Sequence, residues 1–216
     1  MNYALHADDR PDGRLFEVGL FTQRLVDLAG DHEPADADEA IYVLSGSGAV
    51  QLDGDEHELR DGVAVFVPAG TSWSAAGDAH AVSVLVHEPE PGSSPAVVDC
   101  AAVEKGDATA GRQFVLAATP EVGCNSVTQF IGLVPPGRAP DHFHRYDEVI
   151  YVLEGEGTLH IGAEQAHLRA GSCVHLPRTL VHCLANDGDH ELRLLGVFRP
   201  AGSPAEAYYP DGTRAS

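Results

Sequence analysis

At 216 residues the chain is long enough to bury the core of one large domain or of two small ones. Thirty-three acidic residues against thirteen basic ones give a formal charge of −20, and Lys105 is the only lysine; a field of that sign repels phosphate backbones and anionic lipid, so binding to nucleic acid or to a membrane surface is disfavoured, and an anionic substrate would need a local arginine. No run approaches the roughly eighteen apolar residues of a membrane span, and the N-terminus lacks a basic stretch followed by an apolar one, so a cytoplasmic protein is expected.

The opening stretch, Tyr3 to Gly13, is polar and turn-rich and reads as a tail or an arm. Leu15 to Phe21 and Arg24 to Leu28 then read as strands, Asp31 to Asp38 as an acidic loop, and Glu39 to Leu44 as a strand closed by Gly46 and Gly48. His87 to Pro95 is rich in proline, glycine and serine and reads as a linker, while Ala96 to Glu104 is left open between the halves it joins. Arg112 to Leu116 and Ser126 to Ile131 look like strands, and Pro200 to Pro210 like an extended tail across a barrel face. The four cysteines, Cys100, Cys124, Cys173 and Cys183, show no Cys-x-x-Cys spacing and are expected to be free thiols.

Glu39-Ala-Ile-Tyr-Val-Leu-Ser-Gly-Ser-Gly48 is nearly repeated as Glu148-Val-Ile-Tyr-Val-Leu-Glu-Gly-Glu-Gly157, a displacement of 109 residues. The same displacement carries Leu59-Arg60 onto Leu168-Arg169, Gly62 onto Gly171, Val65 onto Val174 and Pro68 onto Pro177. The chain is an internal duplication. Short strands punctuated by Gly and Pro, without any long helical stripe, make each copy an all-β barrel or jelly roll. The expected division is an N-terminal barrel over 1–88, a linker over 89–99 and a C-terminal barrel over 100–216.

The chemistry concentrates in the second copy. In an extended His142-x-His144 pair both imidazoles leave the chain on one side, and Glu148 follows on a strand with Ile150 and Val152 on its face. Gly171, Pro177, His182 and Asn186 come from the next strands. Three imidazoles and a carboxylate suit a divalent first-row metal with open coordination positions. Gly137, His142, His144, Glu148 and Gly155, followed by Gly171, Pro177, His182 and Asn186, resemble the two motifs of the cupin superfamily. The spacer after Gly137 is one residue short, and Thr179 stands where the second motif has a glycine; both departures fall in turns.

The resemblance implies two tandem cupin barrels, double-stranded β-helices of jelly-roll type. It also implies one divalent transition metal (Fe, Mn, Ni or Zn) on His142, His144, Glu148 and His182. The displacement of 109 puts Glu33, Ala35, Glu39 and Trp73 at the matching positions of the first copy, which is therefore expected to be structural, with the Trp73 ring filling the space of the ion. An inward-facing Glu39 should need a partner such as Arg24. Glu33, Glu39 and His32 remain an alternative polar site.

Cupins include oxygenases, decarboxylases, isomerases, hydrolases and binders, so the metal and the walls decide. The expected activity is dioxygenase-like, on an enol, phenol or diketone that chelates through oxygen, with Glu148 accepting the substrate proton. A non-redox hydrolase or isomerase resembling ureidoglycine aminohydrolase and a non-catalytic binding protein are the alternatives. Ile150, Val152, Arg138, Tyr146 and His175 are the expected substrate-binding residues. The expected partner is a small-molecule substrate, with homodimers forming through an edge strand or the N-terminal arm.

Overall fold

The computed structural model describes residues 3–215. Nearly all regular structure is β, with antiparallel ladders and four short 3₁₀ turns among the described residues. Two compact units divide the chain: one holds Arg10–Val103 with Ala117–Val127, and the other holds residues up to Asp9, Glu104–Leu116 and the chain from Thr128 onward.

The first of these units has a six-stranded sheet in the order Ala96–Asp99, Val63–Val67, Asp38–Ser45, His80–Val86, Phe21–Asp27, Arg14–Val18. Its four-stranded sheet runs Gly30–His32, Trp73–Gly77, Ser47–Leu52, Asp55–Arg60. Ala96–Asp99, ambiguous in sequence, pairs with Val63–Val67 and so extends this unit.

In the other unit the large sheet has seven strands, ordered Ala4–His6, Ser172–Leu176, Asp147–Glu154, Leu192–Arg199, Thr128–Val134, Gln113–Ala118, Gly106–Asp107. The small sheet is Gly137–Arg138, Cys183–Asn186, Glu156–Ile161, Glu164–Arg169. The opening arm thus has a place inside its own chain, with Ala4 opposite Val174 and His6 opposite Ser172.

Register preserves the duplication. Glu39 lies opposite Val67 and Tyr42 opposite Ala64, while Glu148 lies opposite Leu176 and Tyr151 opposite Cys173, each pair displaced by the same 109 positions. The cores repeat as well: Ile41, Val43, Val50, Leu59, Val65 and Val67 in one unit correspond to Ile150, Val152, Leu159, Leu168, Val174 and Leu176 in the other. Alternation along each strand sends these side chains inward, and each buried Val, Leu or Ile is worth about 1.5–3 kcal/mol relative to exposure. The four cysteines are free and buried, and none lines the cavity described below. No helix among the described residues is long and apolar enough to cross a membrane.

Candidate metal centre in the second unit

His142 does not sit in a long strand. It forms an isolated bridge with His182, His142 N–H donating to the His182 carbonyl at 2.9 Å and His182 N–H to that of His142 at 2.8 Å. Phe143 makes the next bridge, to Tyr208, and its ring stacks on that tyrosine. Alternation therefore survives without a strand: Phe143 leaves on one side, His142 and His144 on the other. The turn that feeds His182 is held by the Thr179 N–H, which donates to the His144 carbonyl at 2.7 Å. Thr179 has φ +66°, the left-handed conformation that a glycine would adopt freely, so the departure from the motif is accommodated at a local cost.

The ligand-type atoms of His142, His144 and His182 lie within 4.8 Å of one another, the only such group among the described residues. Each Nδ1 faces a backbone carbonyl: Pro140 at 3.0 Å from His142, Glu206 at 2.8 Å from His144 and Leu180 at 2.9 Å from His182. A carbonyl only accepts, so Nδ1 carries the proton in each ring and the Nε2 lone pairs are left facing the group. Burial, followed by repulsion between neighbouring rings, pushes His144 down to about 4 and His182 well below its ordinary value. Burial lowers His142 as well. Converging lone pairs on neutral imidazoles repel each other and attract a cation, so this nitrogen set is able to hold a metal ion.

Glu148 is 4% exposed and faces the same cavity without joining the 4.8 Å group. Burial raises its carboxyl to about 8. Gly196 makes its position possible: a Cβ there would lie 2.9 Å from Glu148 Oε1 and inside the ring of Phe130. An aromatic series backs the site, with Tyr146 stacked between His144 at 4.6 Å and Phe198 at 3.9 Å.

The cavity has a volume of about 90 Å³. Its walls are mostly apolar, among them Phe114, Phe130, Val134, Ile150, Leu176 and Leu194. Of the expected substrate-binding residues, Ile150 and Tyr146 line it, and the other three lie elsewhere. Val152 packs deeper in the core. His175 falls on the opposite face of its strand from Val174 and Leu176. Arg138 is exposed on an edge strand and pairs with Asp141 at 3.1 Å. Asn186 is structural: its side-chain amide donates to the carbonyls of Val134 and His190, both at 2.8 Å. The tail contributes Pro204 and Ala207 to the walls and the Glu206 carbonyl to His144.

Sequence reasoning missed Arg112. It lines the cavity, donates from Nη2 to the Leu184 carbonyl at 2.6 Å, and its charge opposes protonation of all three imidazoles. The only signal was an arginine at the head of an expected strand.

The first unit has its own cavity, of about 310 Å³, lined by Arg24, His32, Glu33, Glu39 and Trp73 among others. Arg24 pairs with Glu39 at 2.9 Å, and the Ser83 hydroxyl donates to the same carboxylate oxygen. The partner expected for Glu39 is therefore present. One correspondence needs correction. The displacement of 109 sets Glu33 against His142, yet the ladder puts His32 opposite Trp73, as His142 is opposite His182. One residue has slipped in the loop, so an imidazole is retained here, stacked on Trp73 at 3.7 Å with its Nε2 against the Leu28 carbonyl.

The Cupin domain family matches residues 28–87 and again 130–198. A protein from Streptomyces cyaneus described as polyketide synthase CurC is 31% identical over 108 residues, covering 49% of this chain and 70% of that protein. Among solved structures, an oxalate decarboxylase from Bacillus subtilis superposes with a TM-score of 0.73 at 15% identity, over 97% of this chain and 80% of that one. A putative glyoxylate-induced protein from Pseudomonas aeruginosa gives 0.71 at 18% identity, over 82% and 74%. Likenesses at these identities speak to the fold. A further structure of the Bacillus subtilis enzyme is described as having Mn(II) centres.

Proposed function

The chain belongs to the cupin family, and on that footing we propose that its second barrel is a metal-dependent enzyme site for a small molecule that chelates through oxygen, an enol, phenol or diketone, with dioxygenase-like chemistry. The convergence of three imidazole nitrogens, two of the residues buried and His144 half-buried, in a mostly apolar pocket is the observation that carries this reading. Similarity to a protein described as a polyketide synthase supports the substrate class, because alternating carbonyls along a carbon chain enolise into a pair of oxygens that a metal can grip.

His142, His144 and His182 would hold the ion, with Glu148 as the further ligand or the proton acceptor beside it. Such an ion supplies a Lewis acid and, if it is redox-active, a place for dioxygen. The protein's own part follows from its side chains. Carbonyl bonds at each Nδ1 fix the ring orientations. Ile150, Leu176, Phe130 and Leu194 exclude water and accept an apolar body. Glu148 faces the cavity beside the triad, and a cation there would favour its carboxylate form, offsetting the upward push of burial, so that it could take a proton from an enol or phenol.

The test is elemental analysis of protein purified without added metal, followed by oxygen-uptake assays on a panel of 1,3-diketones and flavonols. Iron, copper or nickel with oxygen uptake supports the dioxygenase reading. Manganese or zinc with anaerobic turnover would replace it with a Lewis-acid hydrolase or isomerase. Tight ligand binding without turnover would make the protein a binding module.

A further inference from the structure

Arg112 enters the cavity from a loop built for the purpose. Ala110 and Gly111 are consecutive residues with φ +58° and +72°, and Ala108 N–H donates to the Arg112 carbonyl at 2.8 Å, closing a tight reversal between Gly106–Asp107 and Gln113–Ala118. A non-glycine residue in the left-handed region is held at a cost, which the loop bears in order to turn the chain here. The side chain then reaches the Leu184 carbonyl, two residues beyond His182, through one Nη2 bond at 2.6 Å. Among the described residues that is the side chain's only hydrogen-bond partner, so the other guanidinium donors face the cavity with no protein acceptor and are open to a ligand or to water.

Charge makes this arrangement incomplete. Among the described residues Glu148 is the only acidic one lining the cavity, and Arg112 the only basic one apart from the imidazoles. A divalent ion on the triad together with Arg112 would carry more positive charge than one carboxylate offsets, and uncompensated charge in a low-dielectric site is expensive. The sequence sets the same condition from the other side: in a chain of charge −20 an anion needs local positive charge, which an arginine supplies.

We propose that Arg112 binds an anionic oxygen of the substrate beside the metal, so that the site selects a chelating anion with an apolar body, a carboxylate or enolate, over its neutral counterpart. The inference rests on the metal reading above and narrows its substrate class. A planar guanidinium suits the task, since it offers parallel donors to a planar oxyanion and keeps its charge at every working pH.

Salicylate and salicylamide share a phenol and a ring and differ in charge near neutral pH, which makes them suitable probes. Calorimetric titration of the metal-loaded protein should show salicylate bound about tenfold or more tightly than salicylamide. Arg112→Gln should shrink that preference several-fold by weakening salicylate far more than salicylamide, and Arg112→Lys should restore part of it, with metal content by elemental analysis unchanged in both variants. Equal affinity for the two probes in the wild type, no measurable salicylate binding, equal loss of both probes, or loss of metal in the Arg112 variants would each overturn the proposal. The wild-type comparison needs no variant to fold. Failure of the underlying reading would look different, since the wild-type protein itself would then carry no metal.

Discussion

His142 and His182 hold each other by two reciprocal backbone hydrogen bonds, at 2.9 and 2.8 Å, which set their ring centroids 4.7 Å apart. The chain thus fixes the spacing of two imidazoles through its main chain, before any ion arrives. His32 and Trp73 occupy the matching bridge in the first unit, where the two rings stack in parallel at 3.7 Å on the wall of that unit's own cavity.

His144→Ala should empty the metal site. The ring contributes one of three converging nitrogens, and beyond that it holds the Glu206 carbonyl and stacks on Tyr146, which Phe198 supports from the other face, so the barrel should survive its loss. Elemental analysis should find metal reduced to background, with the circular dichroism spectrum unchanged; wild-type metal content would refute the ligand assignment.

Trp73→Ala should destabilise the protein by about 3–5 kcal/mol, the usual cost of removing a large buried ring. Trp73 is 7% exposed, belongs to the core cluster and supports His32. Urea denaturation measures the change, and metal content in the second unit should not respond.

The metal-free protein should have a stability optimum on the pH axis. The three imidazoles are held by burial below the ordinary 6.5, His144 at about 4. Their contribution is present above the unfolded value and is lost as pH falls through the folded values. Glu148 acts in the opposite sense, since its carboxyl is raised from 4.5 to about 8: its contribution is present at low pH and is lost as pH rises through about 8. Thermal melts across pH should therefore decline on both sides. Glu148→Gln should flatten the alkaline limb and His144→Gln the acid limb.

Thr179→Gly should leave stability unchanged or raise it by up to about 1 kcal/mol. Relief of the left-handed strain at φ +66° is offset in part by the greater freedom of glycine in the unfolded chain. A loss of more than that in chemical denaturation would mean that the threonine side chain has a role of its own.

Gly196→Ala should cost about 1–3 kcal/mol, because the added methyl meets the Phe130 ring and comes within 2.9 Å of Glu148 Oε1. Displacing that carboxylate should also weaken metal retention, which dialysis against a chelator would reveal.

Strand register was legible in the sequence because alternation and glycine punctuation are local signals: the pairing of Glu148 with Leu176 repeats that of Glu39 with Val67 without any slip. Alternation likewise placed His142 and His144 on one side, whereas the arrival of His182 beside them followed from the resemblance to the second cupin motif. The His32 correspondence was not, because a loop can gain or lose a residue without altering the strands that flank it. Arg112 was hidden for a different reason. It reaches the cavity through two left-handed residues, and no spacing rule links position 112 to 182. Facing was also beyond reach where a strand is short, so His175 could not be assigned to the outer side until its neighbours Val174 and Leu176 were seen in the core.

Ala4–His6 hydrogen-bonds to Ser172–Leu176, Ala4 lying opposite Val174, so this strand forms the edge of a sheet whose other members all come from Gly106 onward. During synthesis that segment has to wait, unpaired, until Ser172–Leu176 leaves the ribosome. A bulky fusion placed ahead of Tyr3 would therefore burden the second barrel rather than the first.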